Sequence, residues 1–309
     1  MSFVYSQTTF MKFKLFAGFI FFASFSILSV QADNKKERKS LIKVLKENYA
    51  LVPRDSVVRH DFIIFKTEVS NLNYREFLAD LKQGGDIEKW KIASVDSSRW
   101  ANENWTNAAY IEHYHKHPAY NNYPVVNVSK EGAEMYCEWL TQKVNSTLNG
   151  TSKIIFRLPT QQEWIKAAKG KLEQSIYSWG GYRLHNAEGA YMCNCLAFGG
   201  ECISRDSTGK FVFQRVDYSQ YYLTMDYVDI TAPVKSYWPN GYGLYNMNGN
   251  VAEMISDKNV VVGGSWYDPG FDVRNDSEKP YNGAARTVGF RAVATVVPSK
   301  LEWLKLPKK

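Results

Sequence analysis

The stretch from Asn240 to Trp266 concentrates the residues whose types could hold a metal ion. Positions 240–250 carry three glycines and four asparagines, types that tolerate left-handed backbone and bond their own chain. Such a segment predicts tight successive turns whose carbonyls face one centre, with the hard carboxylate of Glu253 at the end. Oxygen donors of this kind form a calcium ligand set, since Ca2+ takes carboxylates, amides and main-chain carbonyls. The competing reading is a loop of turns and nothing more. His113, His115 and His117 alternate, which on a strand would put three imidazoles on one side for zinc or iron. Pro118 follows directly and no nearby Cys or Asp completes a set, so polar packing in a loop is the competing expectation there. No Gly-x-Ser-x-Gly elbow, phosphate-cradling loop or zincin pattern occurs.

The elements that would position these groups point to a loop-rich α+β fold. The chain has 309 residues, 45% hydrophobic and 15% aromatic, and long amphipathic periodicity is scarce. Asp61–Val69 reads as a strand, and Ser70-Asn71 caps a helix over 72–82 that Gly84 and Gly85 stop. Residues 90–122 read as a long aromatic loop and Tyr123–Val128 as a short strand. Ser129 caps a helix over 131–143, with Cys137 a buried thiol on its apolar face. A strand over 154–157, the Pro159-Thr160 turn and a helix over 161–169 follow, and no further helix is predicted after Gly170.

Residues 1–32 read as an export signal, with Lys12 and Lys14 before an apolar run and Val30-Gln31-Ala32 at the cleavage position. Residues 33–59 then form a helical or flexible lead-in, 60–295 one domain and 296–309 a basic tail. No cysteine lies near the cleavage point, which argues against lipidation, so the expected location is periplasmic or secreted. Removing the signal lowers the net charge from +7 by two lysines to +5. That is mildly basic, argues against nucleic acid as a partner, and leaves an acidic partner or a membrane-associated assembly open. An exported chain permits a bridge from Cys202 to Cys193 or Cys195, with connectivity undetermined.

Several motifs recur in order: Phe65-Lys66-Thr67-Glu68-Val69-Ser70-Asn71, Tyr123-Pro124-Val125-Val126-Asn127-Val128-Ser129, and Arg157-Leu158-Pro159-Thr160 with Glu163-Trp164. Tyr177-Ser178-Trp179-Gly180, the 240–253 loop, Gly263-Gly264-Ser265-Trp266 and Gly289-Phe290-Arg291 follow. This succession resembles the formylglycine-generating enzyme (sulfatase-modifying factor) family over roughly residues 60–295. The resemblance implies a single α+β domain, C-type-lectin-like and poor in regular structure. It also implies two copper(I)-binding cysteines after Gly-Gly-Ser-Trp, and those positions here are Asp268 and Val273. A soft ion wants thiolate, so neither copper nor formylglycine formation is expected.

The resemblance implies two structural calcium sites. One uses the side chains of Asn246 and Glu253 with the carbonyls of Gly249 and Val251. The other uses the side chains of Asn194 and Asp226 with the carbonyls of Cys195 and Val228. A residual peptide groove would be lined near Ser265, Trp266 and Arg291. The wording of 117–126, Trp179-Gly180-Gly181, Gly189-Ala190-Tyr191 and Asn250-Val251-Ala252-Glu253 is most similar to the gliding-motility proteins of type IX secretion systems. The reading is thus an exported, non-catalytic component of a cell-envelope assembly, with other envelope or secretion-apparatus proteins as partners. The rival class is an oxidoreductase using another metal set, and a glycan-binding module is a third.

Overall fold

Strand β2 (Phe62–Phe65) shows how the chain builds two cores from one sheet. Its side chains alternate, so Ile63 joins one apolar cluster while Phe62 and Ile64 join another on the opposite face. It lies between β1 (Tyr49–Val52) and β10 (Val293–Val297), and β10 pairs in turn with β3 (Lys153–Arg157), all antiparallel. These elements belong to a computed structural model that describes residues 47–101, 108–147, 153–196, 203–205, 207–208, 211–213 and 230–297. The signal reading over 1–32, the tail from 298 onward and Cys202 lie outside them. Because β1 falls within 33–59, that segment is not merely a lead-in: Tyr49 and Val52 are buried in the sheet.

The described residues include five helices, three of which pack on this sheet. The side chain of Ser70 caps α1 (Asn71–Gln83) by accepting from the amide of Asn73. Short α2 (Ile87–Ala93) and α3 (Ala108–His113) lie in the stretch expected to be a loop. The long α4 (Lys130–Thr147) packs with α1 on one face of the sheet, joining Tyr74, Phe77, Tyr136 and Phe290. On the other face, α5 (Gln161–Lys169) puts Trp164, Ala167 and Ala168 against Phe62, Ile64 and Val293.

A capping box fixes the start of α5, with Thr160 and Glu163 each bonding the other's backbone amide. Burial works against ionisation of Glu163, but Arg157 and the Thr160 amide outweigh it and hold the carboxyl down to about 2.

A second sheet orders β8 (Glu278–Pro280), β7 (Val260–Val262), β6 (Ala252–Met254) and β9 (Val288–Gly289). Only the β6–β9 pair is parallel. A small hairpin joins β4 (Ile203–Arg205) and β5 (Phe211–Phe213). Two expected strands are cut short. The strand expected over 61–69 ends at Phe65, and residues 123–128 keep only a bridge between Pro124 and Ser70. Pro124 has no amide to extend a ladder, and Asn127 turns left-handed at φ 60°. No described helix is long and apolar enough to cross a membrane.

Candidate functional site

The loop from Asn240 to Asn250 runs through left-handed backbone at Gly243, Asn246, Gly249 and Asn250. Three of its four asparagines use both ends of the amide to fasten other segments. Asn240 donates to the carbonyls of Ala167 and Ala168 at the end of α5, at 2.8 and 3.1 Å, and accepts from the Tyr242 and Leu244 amides. Asn248 accepts from the Ser178 amide and donates to the Val273 carbonyl. Asn250 accepts from the Ala232 amide at 2.6 Å and donates to Glu68 Oε1 at 2.7 Å. Asn246 differs. Its Nδ2 makes two long bonds of 3.3 Å, to Glu68 Oε2 and the Pro233 carbonyl, and its buried Oδ1 accepts nothing. Buried amide oxygens rarely go without a partner, so this atom is the one feature of the loop that turn formation does not explain.

Glu253, on β6, sits beside this loop but is committed elsewhere. Arg291 donates through Nε to both carboxylate oxygens, at 2.8 and 2.7 Å, and through Nη2 to Oε1 at 2.6 Å. Trp164 Nε1 adds a fourth bond, 2.7 Å to Oε2. Burial works against the charge of Arg291, but Glu253 and then Glu68 more than compensate and hold the guanidinium firmly protonated. Burial pushes the Glu68 carboxyl up to about 8 against the pull of Arg291. The interior therefore holds two carboxyl groups around one guanidinium.

The expected calcium set is only partly assembled. Asn246 offers a free oxygen, while both oxygens of Glu253 face a fixed cation instead. This corrects the role expected for Glu253: a guanidinium between strand and loop already neutralises it. The residues fit a hard cation at Asn246, with the carboxylate to be found elsewhere. Of the second set, Asp226 and Val228 lie outside the described residues. Asn194 donates to the Ile230 carbonyl at 2.9 Å, and its own carbonyl accepts from the Asn250 amide. The Cys195 side chain packs in a small apolar cluster.

The groove expected near Ser265, Trp266 and Arg291 is also corrected. All three are interior, with Arg291 and Ser265 fully buried. Trp266 packs with Trp100, Tyr114 and Val251.

At the positions where the resemblance places copper ligands, charge and hydrocarbon meet separately. Asp268 Oδ2 accepts from the Ser265 amide at 2.9 Å and from its hydroxyl at 2.7 Å. The Lys279 ammonium pairs with Asp268 Oδ1 and lies 2.9 Å from Asp272 Oδ2. Burial would lower the lysine, but these two acids outweigh it and raise it. Val273 is fully buried against Tyr177, Cys193 and Cys195. The two cysteines are free thiols that share a side-chain hydrogen bond, and that contact, with burial, holds Cys193 well above the ordinary thiol range. Sequence reasoning missed both this juxtaposition and the position of Lys279. No helix, strand or turn spacing signals them: Lys279 lies 11 residues from Asp268, and the cysteine pair meets Val273 from a distant part of the chain.

The three histidines do not form a metal set. They lie on the end of α3 and a following turn, where a helical course separates residues that a strand would align. Among the described residues no group of three or more His, Cys, Asp or Glu side chains is placed to hold a metal. His115 is buried, accepts at Nε2 from Trp100 at 3.4 Å and meets Asn71 Oδ1 at Nδ1, 3.1 Å away. These partners require the neutral Nδ1–H tautomer. Burial, with Arg75 and Lys116 nearby, pulls His115 down to about 3.

The unfolded chain takes up this proton near pH 6.5 and the native state does not. Stability contributed here is therefore complete above about pH 6.5 and falls as pH drops toward about 3, at up to ~1.4 kcal/mol per unit. Urea midpoints measured from pH 7 to 4 should show a shallower decline in His115→Gln than in the parent; equal slopes would refute the assignment.

An α+β domain with a Gly-Asn loop locked beside a buried Glu–Arg pair is the class defined by this geometry. The sequence profile of the family described as Sulfatase-modifying factor enzyme 1-like domain matches residues 28–296, and the chain belongs to that family. A formylglycine-generating enzyme of Streptomyces coelicolor is 32% identical over 170 residues, 54% of this chain and 41% of that protein. The Bos taurus protein named inactive C-alpha-formylglycine-generating enzyme 2 is 30% identical over 155 residues, 47% of this chain and 39% of its own length. The chain thus spans less than half the length of these curated relatives. Among solved structures, PvdO from Pseudomonas aeruginosa superposes with a TM-score of 0.47 at 17% identity, covering 80% of this chain and 90% of that one.

Proposed function

We propose that this chain is an exported, non-catalytic member of the family, a structural or binding component of a cell-envelope gliding or type IX secretion apparatus. The observation that carries the non-catalytic part is Asp268: a carboxylate tied to Ser265 and Lys279 where a copper thiolate would stand. A cuprous ion gains little from hard oxygen and would face an ammonium already in place. The relative whose name calls it inactive supports the same direction. The envelope role is supported by the signal-like residues 1–32 and by the wording of 117–126, which is similar to gliding-motility proteins.

In this reading calcium, held at Asn246 with the carbonyls of Gly249 and Val251, stiffens the loop. The motivation is the unpartnered Asn246 Oδ1. A second reading, an oxidoreductase using a different metal set, is favoured by one feature, the thiols of Cys193 and Cys195 packed against Val273.

Competitive copper(I) titration under reducing conditions, an aldehyde assay on a cysteine peptide, and affinity capture from envelope extracts test the two together. The expected results are no stoichiometric copper, no aldehyde, and recovery of a secretion or motility component. Copper bound one-to-one and lost in Cys193→Ser would replace the first reading by the second.

A further inference from the structure

Glu68 follows β2 just after the chain leaves the sheet, and its carboxylate is fully enclosed at 1% exposure. Asn250 serves one of its oxygens well, at 2.7 Å. The other takes the long 3.3 Å contact from Asn246. Asn246 is itself 93% buried, being 7% exposed, and its oxygen has no partner. Turning the amide over does not help. Its oxygen would then face two others, Glu68 Oε2 and the Pro233 carbonyl, which now lie 3.3 Å from the nitrogen. One orientation strands an oxygen, and the other sets three together, which only a proton on Glu68 or a cation reconciles. A hard cation resolves either arrangement, because oxygens that repel one another in protein alone become ligands around it.

Charge points the same way. The buried cluster brings Glu68 and Glu253 to a single guanidinium, and Arg291 spends three of its hydrogen bonds on Glu253.

We propose that Glu68 joins Asn246 as a ligand of one hard divalent cation, supplying the negative charge that Glu253 has committed to Arg291. This rests on the calcium reading of the Asn246 loop and adds the residue that makes it electrostatically complete.

The test uses the full-length protein stripped with chelator and titrated calorimetrically with calcium chloride, with terbium luminescence as an independent readout. The parent is expected to bind one calcium. Glu68→Gln, checked for fold by circular dichroism, should bind at least tenfold more weakly, and Asn246→Ala should lose binding too. Should Glu68→Gln not fold, Glu68→Asp keeps the charge but withdraws it, and a several-fold weaker affinity is expected. Parent-like affinity in the folded Glu68 variant overturns the role of Glu68 while leaving calcium at the loop intact. Absence of calcium binding by the parent overturns both.

Discussion

Replacing Arg291 by methionine should cost about 3–5 kcal/mol, the largest loss expected from any single side chain here. Its guanidinium is fully buried, holds Glu253 by three hydrogen bonds and also donates to the carbonyls of Phe65 and Tyr245 at 3.2 and 2.9 Å. Those two carbonyls lie on β2 and on the 240–250 loop, so one side chain joins the first sheet, the loop and β6. Methionine would fill most of the volume but leave Glu253 buried with no counter-charge, and removing one partner of a buried pair costs far more than the pair contributes. Lysine keeps the charge without the planar fork and should recover only part of the loss. Adding Glu253→Gln to Arg291→Met should recover some stability, because the stranded charge goes with it. Chemical denaturation of the three variants measures this. A stability of Arg291→Met within 1 kcal/mol of the parent would show that the pair is not the structural centre described here.

Gly249→Ala comes next, and it acts through space as much as through backbone. At φ 75° any side chain is strained, and a Cβ at this position would run into the carbonyl of Asn194. That carbonyl cannot retreat, because it accepts the Asn250 amide at 2.7 Å and the Asn194 amide group is bonded to Ile230. The expected cost is about 3 kcal/mol or more, combining left-handed strain with a forced shift of the loop. Gly243→Ala is the control. Its φ is 81° but nothing lies within 4 Å of the added methyl, so only the strain of roughly 1–2 kcal/mol should appear. Equal losses in the two variants would mean that the contact with Asn194 contributes nothing.

Much of this protein was legible in the chain itself. Ser70, Ser129 and Thr160 marked three helix starts, because caps act through the nearest backbone amides and need no distant partner. The α+β class and the loop's left-handed turns also followed from residue type, since glycine and asparagine impose them locally. So did the presence of Asp268 and Val273 at the positions where the resemblance places soft ligands, which is a matter of residue identity.

Tertiary structure decided what the same residues do. The chain presents Asn240, Asn246, Asn248 and Asn250 as four equivalent turn formers; packing gives three of them distant backbone to hold and leaves the oxygen of Asn246 unpartnered. Glu253 looked free to bind metal until Arg291, 38 residues later, arrived from the far end of the domain. His113, His115 and His117 would have lined one face of a strand, but the end of α3 and the turn after it sent His115 alone into the interior. Lys279 reached Asp268, and the Cys193–Cys195 pair met Val273, through contacts no local pattern encodes. Local backbone preference is written in neighbouring residues, whereas the partner of a buried charge is chosen by which segments the hydrophobic cores bring together.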